Sequence, residues 1–289
     1  MSGFEILYTK AKNLNEITYF DYFKRIRALA ISCFEWKNLP PLIPAKYLET
    51  VLFEDGRILF FQDPTKGLMI ARCSDTGILN YYDIPVSYRA NGTGYSEEYK
   101  TDDCVLIDNN YCSVPTQDSV ILFAYRLADC ERSIDVNVKA QKTPVIILCD
   151  DKQRTTMKNV YTQWSGNEPI ILGDKNLNVE QIKSLDTKAP YVTDKLTIYK
   201  HDIWNECMTF LGIGNANTDK RERLITDEVT ANNDLVDLSA QTRLVSRQDA
   251  AKKINEKYGL EISVELKIKV APVLESKKPD EKQEDNDNG

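Results

Sequence analysis

Residues 189–230 read APYVTDKLTIYKHDIWNECMTFLGIGNANTDKRERLITDEVT, and the architecture turns on how this stretch is read. Pro190 suits a first helical position, where its missing N–H costs nothing. Val192, Leu196, Tyr199, Ile203, Cys207 and Phe210 then recur at three- and four-residue steps, so one face of a long helix is made for burial. Gly212 and Gly214 take the left-handed conformation that ends a helix. From Thr226 to Arg243 the chain is mostly polar, with Asp227, Glu228, Asp234 and Asp237 against Arg243, and the expectation there is a flexible loop.

Upstream, Pro115 precedes a second long helix over 116–141, striped by Val120, Phe123, Leu127, Ile134 and Val138 and roughly 40 Å long. Between the two helices sits a compact insertion: a strand at 145–149, a helix at 155–164 and a strand at 169–172. The N-terminal part opens with a helix over 16–36, closed by Asn38 and the Pro40-Pro41 pair. A short helix at 45–53 follows, then β-like runs at 58–62, 68–73, 78–86 and 105–108, separated by turns at Asp63-Pro64, Asp75-Thr76-Gly77 and Asn109-Asn110. Toward the C-terminus, Ser246 is an N-cap candidate for a helix through Tyr258, stopped by Gly259. Ile262, Val264, Leu266, Ile268 and Val270 then alternate with polar residues as a half-buried strand.

The fold class expected is α+β, dominated by long helices that form a stem, with a small α+β clip and a β-rich wing. The segments are 1–115 (N-terminal helix and β-rich wing), 116–142 (stem helix), 143–188 (clip), 189–214 (stem helix), 215–245 (loop region), 246–274 (C-terminal helix and strand) and 275–289. That last segment has six acidic and three basic residues and no hydrophobic one, and reads as a disordered acidic tail.

Composition excludes more than it asserts. No apolar run approaches the roughly twenty residues that span a bilayer, and the N-terminal residues lack a secretory pattern, so no membrane partner and a cytosolic origin are expected. The seven cysteines are scattered without Cys-x-x-Cys spacing and read as free thiols. A net charge of −7 argues against a protein that grips nucleic acid over its whole surface. A conduit for duplex, by contrast, is served by weak or patchy walls, because each tight phosphate contact adds friction.

Chemistry-bearing motifs are few. The single histidine, His201, lies mid-helix beside Lys200 and Asp202 and reads as a solvated side chain. No phosphate-binding Gly-rich loop ending in Lys-Ser/Thr is present, and Gly92-Thr93-Gly94 lacks the third glycine of a dinucleotide site. The pairs Asp102-Asp103 and Asp150-Asp151 are candidate Mg²⁺ ligands by type, but adjacent residues on a strand point to opposite faces, and on a turn both are ordinarily solvated. No cofactor, metal or catalytic residue is expected.

Several runs carry a family resemblance: Ala189-Pro190-Tyr191-Val192, Asp194-Lys195-Leu196, Trp204-Asn205-Glu206, Met208-Thr209-Phe210-Leu211-Gly212-Ile213 and Thr226-Asp227-Glu228-Val229. Phe34-Glu35-Trp36, Asn38-Leu39-Pro40-Pro41, Ala140-Gln141-Lys142-Thr143-Pro144-Val145 and Gly166-Asn167-Glu168-Pro169 join them in the same order. The chain resembles the upper collar, or head-tail connector (portal), proteins of small short-tailed phages that prime replication with a terminal protein. The residues at 56–110 and the last fifteen match poorly. The resemblance implies a ring, a dodecamer, at one capsid vertex of the virion, through which double-stranded DNA is packaged and ejected. It implies as partners the major capsid protein, a packaging ATPase and the lower collar or tail.

In such relatives two lysines bracket the Ala-Pro-Tyr stretch and line the channel as rings. Lys195 matches the downstream one, while the upstream position is Asp186, with Lys188 two residues on. The loop corresponding to 229–243 hangs into the channel there, which nominates Thr230, Asn232, Asn233, Asp234 and Arg243. The basic N-terminal arm that engages packaging RNA in relatives is reduced here to Lys10 and Lys12, so an RNA partner is unsupported. Two other readings remain open from the residues alone: a Mg²⁺-dependent nuclease built on the acidic pairs, and a helical scaffold or adaptor with no channel.

Overall fold

The computed structural model describes residues 11–141, 145–147, 182–184, 190–214 and 226–267. The chain divides into two compact units, Met1–Tyr22 with Phe123–Trp204 and Phe23–Leu122 with Asn205–Gly289. The described elements, in order, are α1 (Ala11–Ile31), β1 (Phe34–Lys37), α2 (Ala45–Asp55), β2 (Arg57–Asp63), β3 (Gly67–Asp75), β4 (Ser87–Gly92), β5 (Tyr95–Lys100) and β6 (Cys104–Asp108). They continue with α3 (Gln117–Ala140), β7 (Val145–Ile147), β8 (Ile182–Ser184), α4 (Thr193–Phe210), α5 (Thr226–Tyr258) and β9 (Ser263–Leu266). Among the described residues no helix is long and apolar enough to cross a membrane.

The second unit is organised by an antiparallel sheet in the order β5-β4-β3-β2-β6. β2 carries the apolar run Ile58-Leu59-Phe60-Phe61, and all four side chains are fully buried because both faces of the strand are covered. Ile58 and Phe60 face a core built with Leu48, Val51 and Leu52 of α2, Leu244, Ala251 and Ile254 of α5, and Phe34 and Trp36 of β1. Leu59 and Phe61 face the other way, into Ala71, Tyr88, Ala90 and Cys104, with the Tyr99 ring 4.4 Å from that of Phe61. Each such large apolar side chain contributes about 1.5–3 kcal/mol by leaving water, so the sheet is held from both sides.

The ends of these strands are fixed by local chemistry. Asp63 Oδ1 accepts hydrogen bonds from the Thr65 hydroxyl and from the amides of Thr65 and Lys66, while its Oδ2 accepts one from the Tyr95 hydroxyl at 2.7 Å. These donors, the Thr65 hydroxyl foremost, hold the Asp63 carboxyl well below the usual carboxylate range. Thr93-Gly94 forms the turn between β4 and β5, with Gly94 at φ 69° and Gly92 paired to Tyr95.

In the first unit α1, α3 and α4 are joined by polar ties. Glu131 on α3 accepts hydrogen bonds from Tyr22 of α1 at 3.0 Å and from Lys200 of α4 at 2.8 Å. Tyr19 stacks on Tyr125 with centroids 4.1 Å apart, and the buried Cys130 thiol donates to the Leu196 carbonyl. β7 pairs antiparallel with β8, Val145 opposite Ser184.

Four expectations are corrected. The first helix ends at Ile31, and Phe34-Glu35-Trp36 form a strand paired to β9, since Phe34 and Trp36 turn inward in alternation. Residues 78–86 form a loop with a single bridge, Leu79 to Pro85, rather than a strand, whereas β4 and β5 lie in a stretch expected to carry no strand. The loop expected over 229–243 is helical, because α5 runs unbroken from Thr226 to Tyr258 with no glycine or proline inside it. Ser246 accordingly lies inside that helix, its hydroxyl donating to the Thr242 carbonyl, rather than capping its start. The partner of β7 is Ile182–Ser184; the helix expected at 155–164, the strand at 169–172 and the acidic tail lie outside the described residues.

Gly56 closes α2 at φ 79° with its amide on the Leu52 carbonyl, and a Cβ there would press into the backbone of residues 113–115. Gly56→Ala should therefore cost about 2–4 kcal/mol from strain and overlap combined, read as a lowered melting temperature in thermal unfolding.

Candidate functional site

The nominated residues that the structure describes lie on α4 and α5. On α4, Lys195 is exposed and makes no ion pair with another described residue, while Asp194, Ile198, Tyr199, Asp202 and Glu206 are exposed on the same side. The start of this helix is set from α3. Asn137 Oδ1 accepts hydrogen bonds from the Val192 amide at 3.1 Å and the Thr193 hydroxyl at 3.0 Å, and its Nδ2 donates to the Pro190 carbonyl at 2.9 Å. One amide side chain thus caps a helix it does not belong to and fixes the turn that bears Lys195.

The outward faces of these helices are strongly apolar. Leu122, Tyr125 and Val136 form a stripe along α3, 65%, 57% and 62% exposed, and Ile198 and Tyr199 continue the pattern on α4. A single chain leaves these side chains in water, which is a costly arrangement unless something covers them. The β3–β4 loop adds Tyr81 and Tyr82 at its tip, held in shape by Asn80, whose Oδ1 accepts the amides of Tyr82 and Ile84.

Of the nominated channel residues, Thr230, Asn232 and Asn233 lie on the first turns of α5, Asp234 is exposed one residue further, and Lys188 lies outside the described residues. Arg243 is a correction. Its side chain is buried, with Nη2 on the Leu211 carbonyl and the guanidinium over the Phe34 ring, so it faces the protein interior instead of a channel surface.

Beside it lies a network that sequence patterns did not show. Arg247 on α5 grips Glu49 on α2 with two hydrogen bonds, Nε to Oε1 at 2.9 Å and Nη2 to Oε2 at 2.8 Å. Trp36 Nε1 donates to the same carboxylate at 2.7 Å, and Arg247 also donates to the carbonyl and the side-chain oxygen of Asn109. The only available signal was negative: Glu49 and Arg247 fall at helix positions where an apolar residue would complete the stripe.

No reactive centre assembles among the described residues. Asp102 and Asp103 sit on an exposed single turn, and no group of three or more His, Cys, Asp or Glu side chains converges as metal ligands. His201 is exposed on α4, and Asp150 and Asp151 lie outside the described residues. The described cysteines are free, and burial pushes the Cys207 and Cys73 thiols up to about 12, away from nucleophilic reactivity.

The family model described as Phage Connector (GP10) matches residues 5–271. Among solved structures, the chain is similar to one from the portal and tail of native bacteriophage P68, at 14% identity over 89% of this chain and 88% of that one, TM-score 0.48. It is similar to one from the virion of a native gene transfer agent particle, at 10% identity over 88% and 81%, TM-score 0.45. It is also similar to an HK97 family phage portal protein from Corynebacterium diphtheriae, at 8% identity over 89% and 95%, TM-score 0.46.

Two substitutions check this geometry. Glu49→Gln strands Arg247 without a counter-charge in the core and should cost about 3–5 kcal/mol in chemical denaturation. Asn137→Ala removes three hydrogen bonds at a helix start and should cost about 1–3 kcal/mol, with faster amide exchange confined to residues 192–196.

Proposed function

From the premise that this chain belongs to the phage connector family, and so is a phage portal or head-tail connector whose place is the head–tail junction of a virion, we propose how it works. Copies of the chain close side by side into a ring, a dodecamer as in the small short-tailed, protein-primed phages it resembles. The ring encloses a channel for double-stranded DNA. A heterologous, rotationally closed contact is what such a ring needs: one patch of each copy meets a different patch of the next.

The observation that carries the proposal is the exposed apolar stripe on α3 and α4. These helices are tied to each other by polar groups on one side and leave Leu122, Tyr125, Val136, Ile198 and Tyr199 half or more exposed on the other. Neighbouring copies would cover that stripe. In this reading α3 and α4 are the stem, residues 143–188 the clip that meets the packaging ATPase and later the lower collar, and the β2–β6 sheet the wing against the capsid protein. α5 carries Thr230, Asn232, Asn233 and Asp234 toward the bore.

Lys195 draws its importance from symmetry. One exposed lysine is a minor charge on a monomer, whereas a ring gathers one from each copy around the axis and attracts passing phosphates without gripping any of them. Lys188 would add a second set. The role proposed is mechanical, with no reaction catalysed and no cofactor. RNA is left out of the proposed partners.

Native mass measurement and electron microscopy of the purified protein should find a closed ring with a bore of duplex width; single chains under all capsid-like conditions would end the proposal. Leu122→Glu with Val136→Glu should leave the circular dichroism of the chain intact but abolish the ring. Lys195→Ala should leave ring formation unchanged and alter genome passage or retention, and normal packaging in that variant would remove the lysine from the mechanism.

A further inference from the structure

Arg243 and Arg247 sit one turn apart on the buried face of α5, and both guanidiniums lie over the ring of Phe34, 5.2 and 4.0 Å from its centroid. The carboxylate that faces them, Glu49 of α2, has both oxygens taken by Arg247 and one also by Trp36. Arg243 has no ion-pair partner among the described residues. Its Nη2 donates to the Leu211 carbonyl, the Cys33 thiol lies beside it, and its Nε is buried with no hydrogen-bond partner among the described residues. Burial drives the Cys33 thiol upward, so it stays neutral and supplies no counter-charge. Burial likewise, with the like charge of Arg247 adding to it, pulls Arg243 below the ordinary arginine range.

What Arg243 holds is the end of α4. That helix closes with the Ile213 amide on the Met208 carbonyl and the Gly212 amide on the Thr209 carbonyl, Gly212 lying at φ 64°. The Leu211 carbonyl falls just beyond this turn and is filled from α5 by Arg243. Gly212 also packs so closely on α5 that an added Cβ would lie 2.6 Å from atoms of Ala240. The end of α4 is therefore held by one tight backbone contact and one buried cation that has no carboxylate partner of its own among the described residues.

We propose that Arg243 is a releasable tie between the end of α4 and α5, a joint that opens while the neighbouring Arg247–Glu49 cluster stays closed. Opening returns a guanidinium without an ion-pair partner to water, and its hydration offsets the loss of the hydrogen bond to Leu211 and of the contacts with the Cys33 thiol and the Phe34 ring. Opening the Arg247–Glu49 cluster would break a two-pronged ion pair and strip Asn109 and Trp36 of their partners, so the two neighbouring sites differ in the cost of release. A connector subunit thereby has one place where two helices shift against each other without disturbing the core of the sheet.

Native-state hydrogen exchange on the full chain tests this. In the unmodified protein the amides of Gly212 and Ile213 should exchange at least about a hundredfold faster than those of Ala251 and Ile254, by local opening. In Arg243→Met, whose side chain fits an apolar site, exchange at Gly212 and Ile213 should slow by about tenfold, with an unchanged or raised melting temperature. Equal exchange at the two places in the unmodified protein, faster exchange in the variant, or a variant that melts lower or does not fold would each overturn the proposal.

Discussion

The buried pair of Glu49 and Arg247 is the constraint on which the second unit depends. Its side chains are 4% and 2% exposed, and it is the meeting point of α2, α5, β1 and the segment after β6. Two charges taken out of water are tolerated only with near-complete hydrogen bonding, and here the carboxylate receives three hydrogen bonds while the guanidinium gives five. An apolar core would accept small rotations of α5 about its own axis. A two-pronged ion pair accepts one, and that rotation dictates which residues of α5 face the core and which face outward.

That constraint has an outward consequence. With Val236, Ala240, Leu244, Ala251 and Ile254 turned inward, Leu235, Leu238 and Val245 are left on the opposite face of α5, 57%, 65% and 48% exposed. The first unit shows a related asymmetry: its helices are joined through Glu131, Asn137 and Arg132 and bury Leu127 and Ile203, while Tyr125, Val136, Ile198 and Tyr199 lie outside. A chain built this way has a finished core in one unit and exposed apolar surface in both.

Much of the architecture was legible. The long helices α3 and α4 follow from three- and four-residue apolar spacing, although Val138, Tyr199 and Phe210 of the expected stripes stay exposed, and Gly212 and Gly259 stand where left-handed turns are required. The apolar run of β2 and the turn at Asp63 were also apparent. The misreadings share a cause. The stripe of α5 is completed by Arg243 and Arg247, so a count of apolar residues saw it broken and took a helix for a loop. Phe34 and Trp36 prolong the apolar pattern of α1 in the sequence, and only their strand partner, Val264 to Leu266, far along the chain, makes them a strand.

Local order and the kind of most long elements could be read from residue types and their spacing, since helix and turn chemistry acts over a few positions. Which charges are buried, which helix caps another, and which apolar faces remain uncovered could not. Those depend on partners that folding brings together: Glu49 meets Arg247 across 198 positions, and Asn137 reaches Pro190 across 53. No local pattern encodes such a pairing, because its energy exists only once both groups have left water side by side.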